Sequence, residues 1–182
     1  MSRKAAREKA MQALYQLDSQ SNDLDKQIEN FIKVRIINDA DTTTNELDTV
    51  QSVFDIDSSN EVALAKAKQA ETDREDLESG IIVELNEANL KFFKDLVYNV
   101  WERKDELDEI YSKHLKKWTL DRLPKLEKIL LRIGTYEILF SDEVPDSVAI
   151  NEIVELSHMY VDDKSYSYIN AVLGKISDSK NS

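Results

Sequence analysis

Cysteine is absent from this chain of 182 residues. That absence removes the disulfide framework, the thiol nucleophile and the thiolate metal site together. Glycine occurs three times and proline twice, too rarely to punctuate the tight turns of a β-sandwich or barrel. No apolar run nears the roughly 18 to 20 residues that span a bilayer. The opening Met1-Ser2-Arg3-Lys4-Ala5-Ala6-Arg7 leads into a charged helix and not an apolar signal core, so a cytoplasmic location is expected. The only histidines are His114 and His158, and neither has a second candidate ligand at the spacing of a zinc pattern such as H-E-x-x-H. Gly80, Gly134 and Gly174 are too scattered to cradle a nucleotide, and there is no G-x-S-x-G elbow. Adjacent carboxylates such as Asp105-Glu106 and Asp162-Asp163 are far more often solvated surface than acid and base pairs. The expectation is no enzyme, no metal and no cofactor.

What is present reads as helix. The length suits one ordinary domain, and helix formers are abundant within an apolar fraction of 41%. Ala10, Leu14 and Leu17, with Ala6 and Ala13 beside them, predict a helix over Arg3–Leu17. Leu24, Ile28, Phe31 or Ile32, and Ile36 predict a second, to about Ile37. From Leu90 to Leu115 the apolar spacing continues through a break near Lys104, giving two helices or one bent one. Thr119 is a candidate cap, and Pro124 can open the next helix, where its missing amide donor costs nothing. Leu126, Ile129, Leu130, Ile133, Tyr136 and Phe140 make that segment the predicted central helix, and Gly134 within it implies a close helix neighbour. Ser147 and Ser165 are candidate caps for the last two helices. The total is about seven helices, no strands and no tandem repeat.

Charge is unevenly spread. The net charge is −12, which by itself disfavours a polyanionic partner. Between Asn38 and Gly80, however, twelve acids face three bases, a local balance of −9, and the rest of the chain carries only −3. Polar, acidic runs there suggest a flexible insertion, with a marginal helix from an Asn60 cap through Glu61 to Thr72. Outside it, Arg3, Lys4 and Arg7 stand at the start of the first helix, where they could track a phosphate backbone or be a merely solvated helix start; cations there oppose the macrodipole, so the phosphate reading is preferred. A second group, Lys113, His114, Lys116 and Lys117 with Trp118, could bind nucleic acid, but bases at a helix C-terminus satisfy the dipole without a ligand, and that plainer reading is preferred. Tyr166 and Tyr168 with Asn170 could stack on unpaired bases, or Tyr168 could anchor the core. Tyr15 is a half-buried ring or a protein contact.

Four blocks in order carry a family likeness. They are Arg3 to Leu17, Trp118 to Glu137 (WTLDRLPKLEKILLRIGTYE), Val144 to Leu156 (VPDSVAINEIVEL) and Tyr168 to Lys175 (YINAVLGK). Together with the Phe92 to Leu115 segment they closely resemble the NusB transcription antitermination factors. The resemblance implies an all-α bundle of two packed helical lobes, a single NusB-like domain over residues 1–182 with the acidic insertion at 38–80. No methyltransferase domain is expected to follow, unlike in ribosomal RNA methyltransferases with a NusB-like front. It further implies a boxA-type single-stranded RNA bound jointly with NusE, a ribosomal protein that doubles as a transcription factor, in support of antitermination at ribosomal RNA operons by the transcribing RNA polymerase complex. Self-association stays open. By position, Arg3, Lys4, Arg7, Lys164, Tyr168 and Asn170 would face RNA, and Tyr15 and Glu127 would face NusE. Ala5, Ala6 and Ser167 stand where relatives often carry bases, and the insertion is expected to lack a counterpart in typical members. The competing reading is a helical protein-binding adaptor that touches no RNA.

Overall fold

A computed structural model describes residues 3–18, 23–38, 83–116 and 118–180. Seven α-helices occur among them: α1 (Arg3–Leu17), α2 (Leu24–Arg35), α3 (Glu87–Glu102), α4 (Lys104–Ser112), α5 (Lys125–Phe140), α6 (Asp146–Tyr160) and α7 (Asp163–Lys180). The insertion and the helix expected within it lie outside the described residues. The break expected near Lys104 falls at Arg103. Pro124 immediately precedes α5, and its carbonyl accepts from Lys128 N at 3.1 Å. Thr119 heads a 3-10 turn, Leu120–Arg122, without a side-chain cap bond.

Two expected caps are corrected. Pro145, not Ser147, precedes α6, and its carbonyl closes the first turn. At α7 the cap is Asp162, whose Oδ1 accepts from the Ser165 amide at 2.8 Å. That position frees the Ser165 hydroxyl for a tertiary bond. The expectation of no strands is also corrected. α2 ends at Arg35, and β1 (Ile36–Asn38) pairs in parallel with β2 (Val83–Leu85), in the register Ile36 to Val83, Ile37 to Glu84 and Asn38 to Leu85. An Ile36-Ile37 pair fits either a helix end or a strand, and its β-branched side chains favour the ladder once a partner strand is at hand.

The helices pack as two groups that meet along α1 and α5. In the first, Ala6, Ala10 and Ala13 keep α1 narrow enough for α3 to lie against it, and Phe31 of α2 stacks on Phe93 of α3 with centroids 5.8 Å apart. In the second, α5 packs on α4, α6 and α7. Leu130, Ile133 and Ile138 are buried there, with Ile153, Ile169, Val172 and Leu173 also in the core. A Cβ on Gly134 would stand 2.6 Å from Leu173 Cδ1. The close approach of α7 therefore explains a glycine that otherwise costs an interior helix position about 1 kcal/mol. α5 also contacts α1, so the core runs from one group into the other.

Candidate nucleic-acid interface

The first turn of α1 divides its cations between two fates. Arg3 is exposed, but its Nη2 lies 2.7 Å from Glu143 Oε2, its Nη1 donates to the Glu143 carbonyl at 3.2 Å, and its Cζ sits 5.2 Å from the Phe92 ring centroid. Lys4 is exposed and forms no ion pair among the described residues. Arg7 corrects the expectation of a phosphate contact, because it is only 2% exposed. One helical turn beyond Arg3 it joins Ala6, Ala10, Met11 and Leu14 on the inward face. Its Nε donates to both Glu137 carboxylate oxygens at 3.0 and 2.9 Å, its Nη2 donates to Oε1 at 2.8 Å, and Nη1 reaches Glu152 Oε2 at 3.4 Å. Burial pushes the Glu137 carboxyl above the usual carboxylate range, and the Arg7 guanidinium offsets only part of that rise. Lys9 is buried as well, donating to Gln12 Oε1 at 3.1 Å, and desolvation lowers its ammonium pKa.

At the start of α7, Lys164 and Asn170 are exposed, and Lys164 pairs with no carboxylate among the described residues. Tyr168 is half-buried against the core. Its hydroxyl is enclosed without a hydrogen-bond partner among the described residues, and burial raises it to about 12. The hydroxyl of Tyr168 thus fits the core-anchor reading. Tyr166 lies over His158 with ring centroids 3.7 Å apart.

Two residues expected to face a protein partner fare differently. Tyr15 is half-buried, and the Lys125 ammonium lies 4.2 Å from its ring centroid. Glu127 is 7% exposed and accepts from the Ser165 hydroxyl at 2.5 Å. Its carboxylate is a tie between α5 and α7, which corrects the expectation of an outward acid. Three residues missed by sequence reasoning lie close by: the Tyr160 hydroxyl donates to Glu8, and Gln12 Nε2 donates to that hydroxyl at 3.5 Å. Glu8, Gln12 and Tyr15 follow one face of α1 at steps of four and three, a spacing that could have flagged them.

Arg3 and Ser165 do not share one patch. Arg3 binds just beyond the C-terminal end of α5, at Glu143, whereas Ser165 binds near its start, at Glu127. The helix between them measures about 20 Å at 1.5 Å per residue. Basic groups therefore mark two ends of α5, and a strand touching both would run along the bundle. No cluster of three metal-ligating side chains occurs among the described residues, and no described helix is long and apolar enough to cross a membrane.

Comparison with known proteins supplies the lineage. The profile of the NusB family matches residues 48–178. A transcription antitermination protein NusB from Clostridium tetani is 38% identical over 176 residues, covering 97% of each chain. One from Clostridium botulinum strain Kyoto is 31% identical over 97% of this chain and 99% of its own, whereas the match to the NusB of Finegoldia magna is 45% identical over half of this chain. The clostridial alignments run nearly end to end, so the expectation that residues 38–80 lack a counterpart is corrected for those relatives. Among solved structures, NusB of T. maritima superposes with a TM-score of 0.64 at 20% identity, covering 98% of this chain and 92% of that one. A structure described as antitermination factors NusB and NusE in complex with dsRNA gives 0.62 at 21% identity, covering 97% and 96%. With the helical architecture already established, the profile and the end-to-end identity make this chain a member of the NusB family.

Proposed function

We propose that this chain is an RNA-binding adaptor that holds a boxA-type RNA jointly with NusE, and so helps the transcribing RNA polymerase complex resist termination at ribosomal RNA operons. It acts by binding and not by catalysis, as one cytoplasmic helical domain over residues 1–182. The observation that carries this reading is the 38% identity, over 97% of both chains, to a transcription antitermination protein NusB. The NusB neighbour solved with NusE and dsRNA supports the choice of partners.

The geometry sets the strength of RNA binding. With Arg7 buried and Arg3 engaged by Glu143, the cations left for phosphates at the proposed site are Lys4 and Lys164. Two phosphate contacts to a single strand give a slope of log affinity against log salt of about −1.4. Such weak electrostatics explain why a second protein would be needed for tight retention.

Mobility shift with boxA-type RNA tests the proposal. NusE and this protein together should retain RNA far better than either alone, and Lys4→Ala with Lys164→Ala should weaken the complex and flatten its salt dependence. Equal retention with and without NusE refutes joint binding. The scarcity of unpaired cations at the start of α1 among the described residues and the net charge of −12 favour a second reading, a protein-binding adaptor without RNA contact. On that reading NusE binds, but RNA never crosslinks to this chain within the complex.

A further inference from the structure

Residues 113 to 128 hold six Lys and Arg against two acids, a balance of +4 in a chain whose total is −12. Bases at a helix C-terminus need no ligand, and Lys113, 3.3 Å from Glu109 in the last turns of α4, fits that description. Lys116, Trp118 and Arg122 do not. They lie beyond the helix, all three are exposed, and neither cation forms an ion pair among the described residues.

Trp118 is 46% exposed, and no described ring or cation covers it, whereas Trp101 packs on the core and carries the Lys104 ammonium 4.2 Å from its ring centroid. The local backbone explains how the indole is held out. Thr119 is extended, Leu120–Arg122 forms a 3-10 turn closed by Arg122 N to Thr119 O at 2.9 Å, and Leu123 is buried at 4%. The apolar anchoring falls to Leu120 and Leu123 on the inner side of the turn. An indole on a supported turn, flanked by two cations without an ion-pair partner among the described residues, is the arrangement that stacks on an unpaired base while the cations meet its phosphates.

We propose that Trp118, Lys116 and Arg122 form an additional contact for single-stranded RNA, separate from the cations of α1. The inference rests on the RNA-binding reading above and adds a stacking platform to it. This turn leads directly into α5, whose Glu127 holds Ser165 beside Lys164. An RNA passing Lys164 therefore has Trp118 at the same end of the bundle.

The chain has two tryptophans, which makes the platform its own reporter. In a Trp101→Phe variant, titration with a boxA-type RNA carrying uridine tails, with NusE present, should quench the remaining indole emission. A Trp118→Phe variant should show no such quenching. Trp118→Ala should weaken RNA binding about tenfold, and the exposed double variant Lys116→Gln, Arg122→Gln should weaken it and flatten its salt dependence while the circular dichroism stays unchanged. RNA retained by mobility shift without quenching, and with unchanged affinity in both variants, overturns this contact and leaves the RNA-binding reading standing. Weakened NusE binding with RNA affinity intact makes the surface a protein contact and overturns it too. RNA held by none of the proteins, wild type included, refutes both readings.

Discussion

Removing Glu137 should cost this protein as much as truncating a large side chain of its core, and the reason lies in Arg7. The guanidinium is 2% exposed and the carboxylate 1%, so both have been taken out of water and each is solvated mainly by the other. Glu137→Ala leaves a buried cation whose remaining charged partner is Glu152 at 3.4 Å. Breaking one side of a buried pair costs about 3–5 kcal/mol, against a total stability of about 5–15 kcal/mol. At about 2–4 °C per kcal/mol for a chain of this size, the midpoint should fall by roughly 6–20 °C in calorimetry, with a matching loss in urea unfolding. The double change Arg7→Met, Glu137→Leu removes the stranded charge together with its partner. It should come back close to wild type, because a well-packed apolar pair often replaces a buried ion pair without loss. A double-mutant cycle then yields a large coupling energy. The same folded double variant separates structure from recognition, because it should still bind RNA with NusE as wild type does. A Glu137→Ala loss under about 1 kcal/mol, or a folded double variant with abolished RNA binding, would refute the assignment of Arg7 as an internal strut.

Three further outcomes follow from other contacts. Gly134→Ala should destabilise by about 1–2 kcal/mol in chemical denaturation, because overpacking against Leu173 outweighs the gain in helix propensity; a smaller residue at 173 should recover part of the loss. Tyr98, bonded to Asp25 at 2.6 Å, and the part-buried Tyr160 and Tyr168 are each raised to about 12, and Tyr111 is raised further by burial. Their folded-state values exceed the ordinary 10, so stability is complete below pH 10 and is lost as pH rises from there through 12. Ultraviolet titration should show these phenols ionising late and together with unfolding, and an early stepwise titration of all seven tyrosines would contradict that. Glu143→Gln should release the Arg3 guanidinium and tighten RNA binding several-fold in filter retention at low salt, whereas unchanged affinity would mean that Arg3 plays no part.

The helices were legible because their signals are local. The stripe of α1 marks Arg3–Leu17 without a residue to spare, Pro124 marks the start of α5, and Gly134 announces a close neighbour. What escaped depends on distant partners. Whether Arg7 faces water or the core is decided by Glu137, 130 positions away, and Glu127 turns inward because Ser165 meets it there. Ser165 itself looks like a cap until Asp162, three residues earlier, takes the amide. The short ladder was missed for the same reason, since Ile36 becomes strand only against Val83. The candidate site was legible as a set of residue types and much less as a surface.

The parallel β1 and β2 ladder also constrains engineering. Because Ile36 sits opposite Val83 and Asn38 opposite Leu85, the chain leaves the pair at one end and must re-enter it at the other. Antiparallel strands can be joined by two residues, but parallel ones need a crossover of a dozen or more. Residues 39–82 therefore cannot be trimmed to a tight turn without unzipping the pair, and a shortened variant that keeps Ile36 and Leu85 buried must retain at least that length of linker.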